Sequence, residues 1–415
     1  MIYVRSKEGK ALMPTERCSK IGYLLRHGMA HVVSRVPFVV QLDYETSTYT
    51  QDVSLGIDAG SKHIGVSASS EKKELFAAQV ELRSDIVSLL STRRELRRTR
   101  RNRKTRYRKA SFNNRKKKDG WIAPSVEQKV KSHLKVIRLV RDLLPIAKTT
   151  IEVAQFDAQK IKNPDIKDEE YQQGEQMGFW NVREYVLARD GHRCVHCNGK
   201  SKDPILNVHH LESRKIGGNS PSNLVTLCET CHKAYHRGEF DLKVKRGTYL
   251  RDAATMNIMR WAVYERAKAE FKNVHLTYGY ITKNTRIENG IAKTHAADAF
   301  CIAKNVHAMR LRTFFHCRCV ARHTRALHVC NPKRGGMRRS CIASHKIGKS
   351  RFQRFDMVRW KGRECFIFGS THGRPVLRDI EGYKMHENAS VNIKTIKFLK
   401  RLRNNMLVEA RTFKS

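Results

Sequence analysis

The sequence predicts a multidomain α/β protein, and three observations support this class. The chain has 415 residues, which is enough for two to four domains with cores of their own. Short apolar stretches with β-branched residues, at 53–58 and 149–153, alternate with longer stretches that have helical spacing, such as 126–144. Two Cys-x-x-Cys pairs lie between the second of these strands and the next predicted helix. A small metal-stabilised domain is therefore predicted as an insertion.

Positive charge dominates the composition. The chain carries 82 basic and 39 acidic side chains, a formal net charge of +43. A polyanion relieves such self-repulsion, so nucleic acid is the expected partner and binding should depend steeply on salt. No apolar run approaches the ~20 residues of a spanning helix, and residues 1–10 lack the features of a signal peptide; we expect no membrane association. Eleven cysteines do not form an evident disulfide framework, which predicts a reducing compartment.

Two cysteine pairs predict a structural zinc site. Their spacing is that of knuckles which close a tetrahedral thiolate site. The four residues are Cys194, Cys197, Cys228 and Cys231. With four protein ligands the ion would have no open position and would serve the fold. His192 or His196 could replace one of the thiolates.

Histidines around the second pair predict another metal site, one with open positions. His209 and His210 lie on a short predicted hairpin, and His232 and His236 share one face of a helix. The alternative is a zinc ribbon with incidental surface histidines. With Asn223 between the pairs, the order resembles the ββα-metal fold of HNH nucleases. That resemblance implies that His210 is the general base, that His209, His232 and the further candidate His236 hold a divalent ion, and that Asn223 fixes the loop that carries the base.

Three carboxylates lie in elements that can bring them together. Asp58 ends an apolar strand, a pattern shared by actin-like ATPases, RNase H-like nucleases and plain hairpins. Glu152 lies within a β-branched strand, where burial without a cation is costly. His295 and Asp298 share a helix face.

In their order around the inserted domain, these residues resemble the three split motifs of a RuvC domain, which has an RNase H-like fold. The resemblance implies that Asp58, Glu152 and Asp298 hold Mg²⁺ or Mn²⁺ for phosphodiester hydrolysis. It also implies that His295 assists proton transfer.

An arginine-rich segment at 91–109 contains no glycine or proline, and its arginines cover nearly the whole cylinder of a helix. No apolar face remains to be buried, so we predict that phosphates order it; a disordered basic segment is the alternative. The arginines are Arg93, Arg94, Arg97, Arg98, Arg100, Arg101, Arg103, Arg106 and Arg108. The segment resembles the bridge helix of IscB proteins, transposon-encoded nucleases related to CRISPR type II effectors, which runs along guide RNA.

The two ends of the chain resemble the same family. Residues 11–14, Ala-Leu-Met-Pro, resemble the PLMP module of IscB proteins, with Ala11 in place of the first proline. Residues 355–380 alternate as in a small β-barrel, which by this resemblance would contact RNA and read a short motif beside the target. Residues 314–349 are expected to contact RNA or to be partly disordered. A further metal site is the alternative there, with Cys317, Cys319, Cys330 and Cys341.

The resemblance covers essentially the whole chain and implies a domain order. We expect a basic amino-terminal module (1–52), RuvC part I (53–90), the bridge helix with its basic loop (91–125), RuvC part II (126–168), the HNH domain (169–240), RuvC part III (241–312) and a carboxy-terminal RNA-binding and target-adjacent-motif-interacting region (313–415).

The implied function is RNA-guided DNA cleavage. HNH would cut the DNA strand paired to the guide and RuvC the displaced strand. The partners would be a structured guide RNA and double-stranded DNA, with a monomeric protein in a ribonucleoprotein in the prokaryotic cytoplasm, associated with the nucleoid. The alternatives are an unguided homing or structure-specific HNH nuclease and a non-catalytic RNA-binding transposon protein.

Overall fold

A computed structural model describes residues 1–101, 121–153, 181–212, 221–242, 244, 251–321, 347, 350–386, 390–402 and 404–413. The strands are β1 (Tyr3–Arg5), β2 (Ala30–Ser34), β3 (Val39–Leu42), β4 (Val53–Ala59), β5 (His63–Ser69), β6 (Glu74–Glu81), β7 (Ile146–Val153), β8 (Leu206–His210), β9 (Leu224–Cys228), β10 (Val274–Tyr278), β11 (Thr313–Cys319), β12 (Met357–Trp360), β13 (Arg363–Thr371), β14 (Arg374–Arg378), β15 (Lys397–Lys400) and β16 (Met406–Thr412). The helices are α1 (Cys18–Arg26), α2 (Ile86–Arg101), α3 (Pro124–Arg141), α4 (Val182–Arg189), α5 (Glu229–His236), α6 (Arg251–Glu270), α7 (Gly279–Glu288) and α8 (His295–Ile302).

The chain forms two compact units. Unit 1 comprises Met1–Ala154 and Met259–Ser415, and unit 2 comprises Gln155–Ile258. Both mix helices with sheets, which confirms the predicted α/β class. No helix among the described residues is long and apolar enough to cross a membrane.

A seven-stranded mixed sheet forms the centre of unit 1, in the order β10-β7-β4-β5-β6-β11-β16. β4 pairs in parallel with β7 and in antiparallel with β5, so it runs through the middle of the sheet. Its apolar side chains Leu55 and Ile57 are fully buried, as are Ile64 and Val66 of β5. Such burial on a central strand explains the near-continuous apolar sequence at 53–59.

Helix α8 packs directly on β4 and β5 because both strands have glycine at the contact. A Cβ added to Gly56 would lie 2.0 Å from the carbonyl oxygen of Ala299, and one added to Gly65 would lie 1.8 Å from that of His295. The helix begins at Thr294, whose hydroxyl accepts a hydrogen bond from the Ala297 amide. Close packing and this cap fix the first turn of α8 over the sheet.

Strand β10 ends at Tyr278, and Gly279 begins α7. One boundary in unit 1 differs from the sequence prediction. Residues 313–319 form β11, which pairs with β6 and β16. Residues 314–319 therefore belong to an ordered strand, while contact of the segment 314–349 with RNA stays a prediction; a boundary before residue 313 separates β11 from the strands with which it pairs. The alternating sequence of β11 buries Cys317 in that sheet; Cys330 and Cys341 lie outside the described residues.

Two smaller sheets complete unit 1. The first has the order β1-β3-β2 and packs on α1 through Ile21 and Leu24. The second has the order β14-β13-β12-β15, around a core that includes Val358 and Ile367. Its closure into a barrel stays a prediction.

Unit 2 contains α4, the antiparallel hairpin of β8 and β9, and α5. Its core contains Val225 and Leu227 of β9 together with buried cysteines. The side chain of Asn181 caps α4 by accepting a hydrogen bond from the Glu184 amide. The hairpin followed by α5 has the ββα order that the sequence predicts.

Candidate metal centres and nucleic-acid surface

The four predicted cysteines meet in unit 2. Their sulfurs lie within 4.8 Å of one another, and three of the four residues are buried. His192 and His196 are exposed and do not join the cluster; the His196 ring stacks on Phe240. The four cysteines, without a histidine, therefore make up the ligand set of the predicted zinc site.

The chemistry of the cysteine cluster fits a cation. Burial opposes ionisation of Cys197, but hydrogen bonds from Ser201 and from backbone amides outweigh it and lower the pKa of this thiol to about 6. The pKa of Cys231 is raised, first by burial and then by the neighbouring cysteines. Four sulfurs in one cluster are the usual donors of structural zinc, whose charge stabilises thiolates.

Three histidines form a second group beside the cysteines. His209 of β8 and His232 and His236 of α5 bring ligand nitrogens within 4.8 Å of one another. Burial, and then His232 and His236, lower the pKa of His209 to about 4. The His209 imidazole thus stays neutral near pH 7. The buried Nε2 of His209 has no hydrogen-bond partner among the described residues, which fits a nitrogen that ligates a divalent ion.

His210 and Asn223 stand next to this group. His210 is half-buried and follows His209 on β8, so the two side chains point to opposite faces of the strand. Asn223 is buried; its Oδ1 accepts from the Glu212 amide at 2.8 Å and its Nδ2 donates to the Glu212 carbonyl at 3.0 Å. The amide therefore holds the chain two residues beyond His210.

The carboxylates at the heart of unit 1 also come together. Asp58 and Glu152 are buried on the neighbouring strands β4 and β7, and α8 brings His295 and Asp298 to them. His295 Nδ1 lies 2.7 Å from Asp58 Oδ2. Burial, followed by the charge of Asp58, raises the pKa of both Glu152 and Asp298. The hydrogen bond to Asp58 raises the pKa of His295. The cluster favours positive charge in its midst.

Two arginines that were not predicted from the sequence supply positive charge to these carboxylates. Arg260 Nη1 lies 2.9 Å from Glu152 Oε1, and Arg286 Nε lies 3.0 Å from Asp298 Oδ1. A signal for Arg260 exists in the sequence, because it falls on the apolar stripe of α6 formed by Met259, Val263 and Ala267. An arginine at such a position needs a buried anion.

The carboxylate donors suit Mg²⁺ or Mn²⁺, which prefer oxygen ligands. In the described part of the chain, the ligand atoms of the cysteine group lie within 4.8 Å of one another, and so do those of the histidine group. The oxygens of the three carboxylates are not this close together. Their oxygens are held by Arg260, Arg286 and His295 instead. The three carboxylates have the chemistry that a divalent ion requires, but in this structure they are paired with basic side chains of the protein.

The arginine-rich segment begins as helix α2. Arg93, Arg94, Arg97 and Arg98 are exposed on it. Arg100 and Arg101 belong to the helix, although the structure does not describe their side chains. Arg103, Arg106 and Arg108 lie outside the described residues.

Two protein families match this chain. Residues 2–174 match the model of the RRXRR protein family, and the spelling Arg-Arg-x-Arg-Arg occurs at residues 97–101 of α2. Residues 194–238, which hold the cysteine and histidine groups, match the HNH endonuclease model. The two matches support an IscB/Cas9-like nuclease, as the sequence predicts. They confirm its HNH nuclease domain.

Individual proteins resemble parts of this nuclease. Anaredoxin from Nostoc sp. is 34% identical over 69 residues, which are 16% of this chain and 84% of that protein. A Streptococcus thermophilus Cas9 in complex with the AGAA PAM has 15% identity and a TM-score of 0.31, over 44% of this chain and 26% of that one. The Type II-C Cas9 of Actinomyces naeslundii has 12% identity and a TM-score of 0.26, over 61% of this chain and 60% of that one. Both TM-scores are low, so the sequence matches carry the family assignment.

Proposed function

We propose that this protein is an RNA-guided DNA endonuclease with two separate hydrolytic centres, one for each strand of the target. The observation that carries the proposal is the presence of two clusters of different chemistry in one strongly basic chain: three imidazoles in the HNH segment, and in unit 1 the buried carboxylates Asp58 and Glu152 with the half-buried Asp298. A net charge of +43 suits a complex with RNA and DNA. The protein would act as a monomer within the ribonucleoprotein, in the cytoplasm.

In the HNH centre the histidines divide the work. A divalent ion held by His209, His232 and His236 would neutralise charge on the scissile phosphate. His210 then acts as the general base that takes a proton from the attacking water. Asn223 holds the chain that follows His210, so the imidazole approaches the phosphate from a fixed direction. The four cysteines would hold a structural zinc ion, which would connect β9 and α5 to the knuckle at Cys194 and Cys197.

In unit 1 the carboxylates and His295 form the second centre, and we assign the large sheet with α8 to an RNase H-like RuvC fold. Mg²⁺ or Mn²⁺ ions held by Asp58, Glu152 and Asp298 would activate water and stabilise the leaving oxygen. His295 accepts or relays the proton of that water. Its hydrogen bond to Asp58 keeps the ring within the cluster.

The remaining assignments follow the same family pattern. Helix α2 is the start of a bridge helix along the guide RNA, and the sheet of β12 to β15 is a barrel-like module that reads a motif beside the target. Guide pairing would select the sequence, while the protein contacts backbone and duplex shape. HNH would cut the paired strand and RuvC the displaced strand.

To test whether the nuclease is RNA-guided, the gene is expressed with its flanking DNA, the purified protein is washed at high salt, and the nucleic acid that stays bound is sequenced. One discrete structured RNA, followed by RNA-dependent cutting of matching duplex DNA, is the expected result. Heterogeneous fragments, together with cutting that needs no RNA, would instead indicate an unguided HNH nuclease. RNA binding without metal-dependent cutting would indicate a non-catalytic RNA-binding protein.

A charge-matched pair of variants shows whether α2 holds the RNA. Alanine at four exposed arginines of α2 should strip the RNA from the protein; these are Arg93, Arg94, Arg97 and Arg98. The control removes four exposed lysines elsewhere, Lys10, Lys20, Lys72 and Lys131. Equal RNA loss from both variants would mean that only the net charge matters.

A further inference from the structure

Arg260 lies at the centre of the carboxylate cluster, although it belongs to none of the motifs that define the two centres. The residue is buried, with 8% of its surface exposed. Its Nη1 lies 2.9 Å from Glu152 Oε1 and its Nη2 lies 3.8 Å from Asp58 Oδ1. Its Nε donates a hydrogen bond to the Ala59 carbonyl at 2.9 Å. One guanidinium thus contacts both strands that carry the carboxylates.

The position of the guanidinium matters because a metal ion needs the same carboxylate oxygens. Asp58 and Glu152 are buried side by side, and two such anions repel each other unless a cation lies between them. Arginine keeps its charge even when buried, so it neutralises the pair without taking part in proton exchange. A divalent ion bound to both carboxylates would lie within a few ångströms of the guanidinium, where repulsion between cations is strong.

We propose that Arg260 is a placeholder cation, a positioning residue that holds Asp58 and Glu152 together in the metal-free centre and must withdraw from them when a divalent ion binds. The inference rests on the proposed function only in taking this cluster as a metal centre. It gives the arginine two opposite effects. Arg260 stabilises the fold without metal and weakens metal binding.

The chain offers a matched control on the same helix. Arg266 of α6 forms a two-point ion pair with Glu127, its Nη1 at 2.9 Å and its Nη2 at 2.8 Å from the carboxylate oxygens. Arg266→Met therefore removes the same charge and an equally well-made ion pair. It leaves the carboxylate cluster untouched.

The test measures Mn²⁺ binding to the full-length protein, freed of nucleic acid and bound metal, by electron paramagnetic resonance. Asp58→Ala identifies which class of bound Mn²⁺ belongs to the carboxylates, because the histidine group is unchanged in that variant. For this class we expect Arg260→Met to lower the Kd about tenfold or more, since a cation close to the ion is removed. Arg266→Met should leave the Kd unchanged. In EDTA, Arg260→Met should unfold at a lower temperature than the wild type, and saturating Mn²⁺ should recover most of the difference.

The outcomes separate the inference from the proposed function. Mn²⁺ binding that weakens or stays the same in Arg260→Met would overturn the placeholder role. Weaker binding would mean that Arg260 supports the metal-loaded centre, and unchanged binding would mean that it does not affect metal affinity. If Asp58→Ala binds as much Mn²⁺ as the wild type, the carboxylates are not a metal centre, and the proposed RuvC-type chemistry fails with the inference. Should Arg260→Met fail to fold without metal, Arg260→Gln provides the same comparison, because it keeps a hydrogen-bond donor and lacks the charge.

Discussion

Replacing Gly65 by alanine should pull the carboxylate cluster apart. The added Cβ would lie 1.8 Å from the His295 carbonyl oxygen and 3.1 Å from the Asp58 Cβ, whereas real Cβ atoms hardly ever approach another atom within 3.0 Å. Since the clash is with backbone, α8 must shift by more than about 1 Å to relieve it. The bond between His295 and Asp58, now 2.7 Å, would then exceed hydrogen-bonding distance.

The size of the effect can be worked from these contacts. Overpacking of a core by a methyl group costs about 1–3 kcal/mol, and loss of a charged hydrogen bond costs a further ~1.5–3 kcal/mol. We expect Gly65→Ala to lower the free energy of unfolding of unit 1 by about 3 kcal/mol. A misplacement of 1 Å among catalytic groups can lower the rate by about 10²-fold. Cutting of the displaced strand should fall by that factor.

Urea unfolding and strand-specific cutting of a labelled duplex check both numbers. Cutting of the guide-paired strand is the internal control, because the HNH centre lies in unit 2. Gly22→Ala is the matched variant: it lies within α1, an added Cβ there meets nothing within 4 Å, and alanine should stabilise the helix by up to about 1 kcal/mol. If Gly65→Ala keeps wild-type stability and cuts both strands normally, the close packing of α8 is not what assembles the cluster.

Other perturbations address the two centres and the core separately. His210→Ala should abolish cutting of the guide-paired strand alone and Asp58→Ala cutting of the displaced strand alone, as read on strand-labelled duplexes. Cys228→Ser should release zinc from unit 2, measured by atomic emission, and destabilise the β9–α5 corner, because three thiolates no longer close the site. Complete burial lowers the pKa of His133 to about 4. The unfolded chain therefore takes up a proton that the folded chain refuses, and stability should fall by up to ~3 kcal/mol as the pH drops from about 6.5 to 4. His133→Leu should flatten this pH dependence in urea unfolding.

Specific results would contradict each of these predictions. A single substitution that stops both cuts would refute independent centres. Zinc content that survives Cys228→Ser would place the ion elsewhere, and Cys18→Ser, at an exposed cysteine of α1, should keep it. His275→Leu, at an exposed histidine of β10, should leave the pH slope unchanged; equal slopes for His133→Leu and the wild type would show that the buried imidazole does not control it.

The residues whose type and spacing carry chemistry could be predicted from the sequence. Cys-x-x-Cys pairs and His-x-x-x-His are local patterns, so the two groups of unit 2 could be predicted without knowing the fold. Asp58, Glu152 and Asp298 are far apart in the chain, and their order supplied the prediction that they meet. That inference came from family resemblance, because no local rule links a strand end to a helix 237 residues later.

The parts that were missed depend on packing between distant segments. Arg260 has the sequence context of a core position, and only the buried carboxylates around it explain its charge. β11 was misread because its histidine, arginine and cysteines look like a polar segment until β6 and β16 flank it. The need for glycine at 56 and 65 is likewise invisible until α8 lies against them.

The interrupted layout of the large sheet has a consequence for synthesis on the ribosome. Unit 2 is one contiguous stretch, so it can fold as soon as it emerges. The large sheet of unit 1 cannot, because β7, which ends at Val153, pairs with β10, which begins at Val274, and β6, which ends at Glu81, pairs with β11, which begins at Thr313. Asp58 and Glu152 emerge from the ribosome early. Arg260 and then Asp298 follow only after unit 2 has left the exit tunnel, so the ion pairs of the cluster form late. The nascent chain thus completes its cysteine-rich unit 2 first and its carboxylate centre late, and conditions that slow release from the ribosome should trap intermediates with exposed strands of unit 1.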